Sequence, residues 1–179
     1  MHVTVFGGAS PKPGQPAYEE ALRLGRLLAE AGHTVLTGGY MGTMEAVSRG
    51  AVEAGGHTIG VTCEEIERWR ASAANPWVKE VWCRNSLADR LTSMMESGDA
   101  LLALPGGPGT LTEISLAWNR LLIKSLSPRL LILIGDGWRA VFDLLFTAQS
   151  DYIAEPLHEY LTFVKTVDEA VAKLNGAAH

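Results

Sequence analysis

Residues able to hold an anion or move a proton gather in three glycine-rich segments of this 179-residue chain. They are Gly7-Gly8-Ala9-Ser10, Gly38-Gly39-Tyr40-Met41-Gly42-Thr43 and Pro105-Gly106-Gly107-Pro108-Gly109-Thr110. The second and third follow strand-like runs and open helix-like ones. Their backbone N–H groups are therefore expected to converge on an anion at a helix start. Glycine lets a ligand approach the backbone, and Thr43 and Thr110 add hydroxyl donors. Neither loop has the G-x-G-x-x-G spacing of a dinucleotide site, and no Gly-Lys-Ser/Thr of a Walker loop occurs. A mononucleotide or sugar phosphate is the expected ligand, with Gly8, Ser10, Gly38, Gly39, Gly42, Thr43, Gly106, Gly107, Gly109 and Thr110 as its phosphate or nucleotide contacts.

Two charged residues accompany these loops. Thr110-Leu111-Thr112-Glu113 reads either as a capping box, Glu113 returning a bond to the helix start, or as a carboxylate beside the anion site. Arg90 lies on the edge of the apolar stripe Leu87, Leu91, Met94 and Met95, where a solvated arginine is out of place. It either snorkels to a carboxylate or turns inward toward the ligand loops. Arg84 is a second, weaker candidate. Tyr40 and the tryptophans Trp69, Trp77, Trp82, Trp118 and Trp138 are candidates for stacking on a base.

The elements that position these groups alternate along the chain. Strand-like runs cover 3–6, 34–37, 58–62, 78–82, 100–104, 130–134 and 161–164, separated by segments of helical spacing. Repeated strand–helix alternation specifies a parallel sheet with helices on both faces, and right-handed crossovers make it Rossmann-like and doubly wound. About seven strands are expected, in a single nucleotide-binding domain over 1–179, with the site at the strands' C-terminal ends.

Composition narrows the function. Hydrophobic residues make up 47% and charged residues 20%, as in ordinary globular domains. A formal net charge of -5 offers no overall field for nucleic acid or an anionic membrane. Cys63 and Cys83 lack the company of a zinc site and suit a reducing compartment. The N-terminus begins directly in strand-like sequence, and the longest apolar run falls far short of a membrane span. A soluble, cytoplasmic protein is expected.

Pro105 to Glu113 matches P-G-G-x-G-T-x-x-E, the motif of the LOG-type proteins, with all six fixed positions present. The resemblance extends through Val5-Phe6-Gly7-Gly8-Ala9-Ser10 and 54–61 to Asp136-Gly137, roughly residues 1 to 150. LOG-type proteins are cytokinin-activating phosphoribohydrolases, many of them labelled lysine decarboxylases. The resemblance implies a homodimeric Rossmann-like enzyme that hydrolyses the N-glycosidic bond of a nucleoside 5′-monophosphate, of the AMP or cytokinin riboside type. It places the catalytic arginine and glutamate at Arg90 and Glu113, with neither metal nor cofactor. Lysine decarboxylation is not expected, because Lys12, Lys79, Lys124, Lys165 and Lys173 all lie outside the glycine loops.

Three departures stand out. The family's G-G-G-x-x-G-L-M-G reads Thr37-Gly38-Gly39-Tyr40-Met41-Gly42-Thr43-Met44-Glu45 here, and Leu91 follows the arginine where lysine is usual. Glu45 is expected to alter the pocket. Arg84-Asn85, with Glu45-Ala46-Val47-Ser48, resembles a branch that includes molybdenum-cofactor carriers. A non-catalytic carrier or sensor of a nucleotide-like phosphorylated ligand is therefore the alternative.

Overall fold

A computed structural model describes residues 1–70 and 72–177. The elements run β1 (His2–Phe6), α1 (Pro16–Glu30), β2 (Thr34–Thr37), α2 (Thr43–Glu53), β3 (Thr58–Cys63), α3 (Glu64–Arg70), β4 (Glu80–Arg84) and α4 (Leu87–Ser97). They continue with β5 (Ala100–Ala103), α5 (Pro108–Leu122), β6 (Leu131–Ile134), α6 (Asp136–Ala148), a 3₁₀ segment (Glu155–Tyr160), β7 (Thr162–Val164) and α7 (Val167–Ala177). All seven strands pair in parallel, in the order β4-β3-β2-β1-β5-β6-β7. The direction of winding reverses between β1 and β5. In an open α/β sheet, ligands bind at such a switch point.

Both faces of the sheet are covered, so strand residues alternate between two cores rather than between core and solvent. Ala100, Leu102 and Leu104 pack with Ile132 and Ile134 under α1, α2 and α7. Leu101 and Ala103 pack with Leu131 and Leu133 under α4, α5 and α6. On the first face α1 and α2 touch backbone to backbone, and a Cβ at Gly25 or Gly50 would fall on the Val47 or Leu22 carbonyl.

Two elements depart from the pattern read in the sequence. The helix α3 was not expected, because its seven residues, Glu-Glu-Ile-Glu-Arg-Trp-Arg, show no apolar stripe. The fourth strand begins at Glu80 rather than at residue 78. Val78 and Lys79 belong instead to a return segment: Val78 packs over Gly60, where any Cβ would meet both its methyls, and the Lys79 N–H donates to Thr58 Oγ1 at 3.0 Å.

Candidate functional site

The start of α5 follows from its sequence. Pro108 takes the first helical position, where its missing N–H costs nothing, and Gly107 is the N-cap. The Leu111 N–H already closes on the Gly107 carbonyl at 3.0 Å. The unclosed N–H groups at this end are therefore those of Gly109 and Thr110. Gly107 and Gly109 have open space where a Cβ would stand. Thr110 is then the third residue of the helix rather than its cap, so Glu113 is not the return arm of a capping box. It lies in the second turn, 7% exposed.

Arg90 turns inward from α4, which Ser86 caps by accepting from the Asp89 N–H at 3.1 Å. Arg90 is 5% exposed. Its Nε donates to the Val61 carbonyl at 2.7 Å, and its guanidinium carbon stands 5.7 Å from the centre of the Tyr40 ring. One of its terminal nitrogens is 3.7 Å from Glu113 Oε1, close enough to attract but too far for a hydrogen bond. Burial pushes the Glu113 carboxyl up from 4.5 to about 7, with Arg90 pulling against it.

These two groups sit in a cavity of about 450 Å³. Gly7, Gly8, Ala9 and Ser10 form one wall, and Gly107, Gly109 and Thr110 another. Met44, Ile66, Trp69, Leu87 and Leu91 give it an apolar side. Of the five tryptophans, Trp69 lines it. The Trp118 and Trp138 indoles, which do not line it, donate to the Leu157 and Leu104 carbonyls.

The second glycine loop reaches this cavity through Tyr40, which lines it, while its glycines lie behind the wall. The Thr43 N–H and hydroxyl both donate to the Gly8 carbonyl, at 2.9 and 3.1 Å. Gly42 has φ +75°, and a Cβ there would strike Gly8 and Ala9. At Gly38 a Cβ would overlap the Arg90 guanidinium and lie 2.6 Å from the Met44 sulfur. Gly39 has φ +77° and gives its carbonyl to Asn75. Gly106 backs the third loop, with no room for a Cβ beside Thr110. Among the residues expected to contact the ligand, Gly38, Gly39, Gly42, Thr43 and Gly106 thus shape the walls from behind.

Glu45 does not line the cavity either. Its carboxylate accepts from the Tyr18 hydroxyl of α1 at 3.0 Å, on the opposite face of α2. Thr37 is accommodated without distortion: its hydroxyl accepts from the Gly39 N–H at 3.1 Å and lies 3.3 Å from that of Ser48. Arg84 and Asn85 line a separate polar groove of about 570 Å³ with Cys83 and Asp89, where Arg84 donates to Ser93 Oγ at 3.0 Å.

Sequence reading missed Asn75 and α3. Asn75 carries no motif, and its bonds span more than thirty residues. Among the described residues, no group of three or more His, Cys, Asp or Glu side chains could hold a metal, and no helix is long and apolar enough to cross a membrane.

A seven-stranded parallel α/β sheet with an open helix start and a buried arginine–glutamate pair at its switch point defines a Rossmann-like α/β protein. A model of the SLOG cluster4 family matches residues 1–134, and the chain belongs to that family and is a LOG-type protein. It is 30% identical over 177 residues to a probable cytokinin riboside 5′-monophosphate phosphoribohydrolase of Oryza sativa, covering 96% of this chain and 70% of that one. The Oryza sativa cytokinin riboside 5′-monophosphate phosphoribohydrolase LOG is 32% identical, with 96% and 72% covered. The corresponding protein of Rhodococcoides fascians is 28% identical, with 96% and 88% covered. Among solved structures, the molybdenum cofactor carrier protein of Chlamydomonas reinhardtii superposes with TM-score 0.72 at 26% identity, covering 98% of this chain and 96% of that one. The molybdenum cofactor binding protein of Rippkaea orientalis shares the fold, with TM-score 0.76 at 24% identity over 99% and 97% of the two chains.

Proposed function

We propose that this protein hydrolyses the N-glycosidic bond of a nucleoside 5′-monophosphate, of the AMP or cytokinin riboside type, to a free base and ribose 5-phosphate. The observation that carries this reading is the buried Arg90–Glu113 pair facing the start of α5 across one cavity. The 5′-phosphate meets the N–H groups of Gly109 and Thr110, the positive end of the α5 dipole and the Ser10 hydroxyl. The base lies along the apolar side formed by Ile66, Trp69, Leu87 and Leu91.

As the bond to the base breaks, the ribose gains oxocarbenium character. The bonding pair leaves with the base. The Glu113 carboxylate stabilises the ribosyl charge and takes a proton from the attacking water as its hydroxyl bonds to C1′. The departing base takes up one proton in return. Arg90 holds Glu113 and balances the phosphate. A carboxyl that ionises near pH 7 suits a base working at neutral pH. The reading needs no metal or cofactor, since both charges find protein partners. It includes a homodimer acting in the cytoplasm, by resemblance to the LOG family.

A second reading, a carrier or sensor of a nucleotide-like phosphorylated ligand, draws on the 26% identity to the Chlamydomonas carrier and on Thr37 and Glu45 in the second loop. One experiment separates the two. The protein is incubated with AMP and free adenine is followed by chromatography, with Glu113→Gln and Arg90→Ala as controls. Adenine released by the wild type and by neither variant, with kcat/KM rising through a midpoint near pH 7, is expected. No release, with AMP still raising Tm, transfers the assignment to the carrier: a ligand at a hundred times its Kd adds about 2.7 kcal/mol of stability.

A further inference from the structure

We propose that Asn75 is a positioning residue of this cavity: by binding the Gly39 and Tyr40 carbonyls it fixes the aromatic ring that supports the Arg90 guanidinium. The inference rests on the reading of Arg90 and Glu113 as the reacting pair. Asn75 stands in the segment between α3 and β4 and is 8% exposed. Its Nδ2 donates to the Gly39 carbonyl at 3.0 Å and to the Tyr40 carbonyl at 2.8 Å. Its backbone N–H donates again to Gly39, at 2.8 Å, and its Oδ1 accepts from the Trp77 N–H at 3.0 Å.

That pattern needs an amide of this length. Two N–H donors must reach two successive carbonyls while the oxygen faces a third backbone group. A serine hydroxyl supplies one donor where two are used. An aspartate would set a carboxylate against two carbonyl oxygens in a buried place.

Tyr40 is thereby held at both ends. Its backbone is tied by Asn75, and its hydroxyl donates to the Cys63 carbonyl at 3.2 Å and accepts from the Cys63 N–H at 2.9 Å. The ring between these anchors lies beside the Arg90 guanidinium. Arg90 accordingly has two supports on the β3 side, the Val61 carbonyl and this ring, and projects from them toward Glu113. A preorganised cation tolerates little displacement: a misplacement of about 1 Å can cost about a hundredfold in rate.

The test uses the full chain with Asn75→Ala. The exposed Asn85→Ala, in the groove outside the cavity, is the control. The Glu113 carboxyl is titrated by carbon-13 NMR, its signal identified by its loss in Glu113→Gln. Because Arg90 holds that carboxyl down, loosening Arg90 raises the midpoint above about 7, and Asn85→Ala leaves it in place. For adenine release from AMP, Asn75→Ala lowers kcat about tenfold or more with little change in KM. Against an Arg90→Ala background the same substitution shifts the Glu113 midpoint no further.

If Asn75→Ala does not fold, Asn75→Ser, which keeps one donor, gives a smaller rise in the same direction. A Glu113 midpoint unchanged or lowered, or a loss confined to Tm, makes Asn75 a loop clamp only and overturns the proposal. A wild type that releases no adenine sinks the hydrolase, while the titration still decides the role of Asn75.

Discussion

The second and third glycine loops look alike as sequence, each joining a Gly-Gly to a Gly-Thr at the start of a helix, yet they do opposite things. At Gly38 and Gly42 the place a Cβ would take is filled, by Arg90 and Met44 in one case and by Gly8 and Ala9 in the other. Around Gly107 and Gly109 no atom of the described residues lies within 4 Å of that position. In the second loop glycine permits backbone and side chains to pack against the chain itself. In the third, beyond the crowded Gly106, Gly107 and Gly109 leave space for something else. Thr43 spends its donors on the Gly8 carbonyl, whereas Gly109 and Thr110 head a helix whose first turn is open. The same residue type is thus a packing device in one loop and a clearance in the other.

The largest test of this contrast is a pair of alanine substitutions. Gly42→Ala forces a methyl into Gly8 and Ala9 at a left-handed φ, and is expected to cost on the order of 3 kcal/mol in urea unfolding. Gly109→Ala meets no neighbour and has no positive φ, so its stability stays within about 1 kcal/mol of wild type. Its methyl nonetheless sits at the helix start proposed to hold the phosphate, and AMP-induced stabilisation is expected to fall. Equal stability losses in the two variants would break the contrast.

Next in size is the pH dependence of Glu113. In the unfolded chain this carboxyl ionises near 4.5, and in the folded protein near 7. Between those values the native state keeps a proton that the unfolded state has released. The stabilisation is therefore fully present below 4.5 and is lost as pH rises through about 7. In Glu113→Gln that slope disappears. Its stability relative to wild type should grow by up to about 3 kcal/mol between pH 4 and pH 8, read from urea midpoints. A gain of this kind belongs to a site that trades stability for function. The same slope in both proteins would mean a wetter carboxyl than the cavity suggests.

Most of the architecture was legible because it rests on local rules. Short apolar runs flanked by helical spacing gave all seven strands and their parallel pairing, since buried strands in such sheets are apolar on both faces. Arg90 was legible because a cation on an apolar stripe violates the pattern. Glu113 was ambiguous because a capping box and a buried carboxylate share one spacing. The helix start at Pro108, two residues before Thr110, separates them. What escaped was tertiary. Asn75 reaches across 36 residues to Gly39, Val78 is drawn out of the strand by the bare face of Gly60, and α3 puts Ile66 and Trp69 on the cavity without an amphipathic signal. The difference between the two glycine loops belongs to the same class. It depends on where the Gly8 carbonyl stands, which no window around residue 42 contains.

Glu45 offers the smallest and most discriminating effect, because it is the departure from the family motif expected to alter the pocket. Its carboxylate accepts from Tyr18 on the α1 side of α2, and Arg49 alongside is held by Glu53 at 2.7 Å. In Glu45→Gln the amide oxygen can accept the same phenol proton, and the lost charge is partly exposed to solvent that screens it. The expected change is within about 1 kcal/mol in urea unfolding. AMP stabilisation and adenine release should both be unaltered. If turnover instead dropped severalfold at unchanged stability, charge behind the second loop would be felt at Arg90 through Gly38 and Met44. The second loop would then be part of the electrostatics of the site as well as its wall.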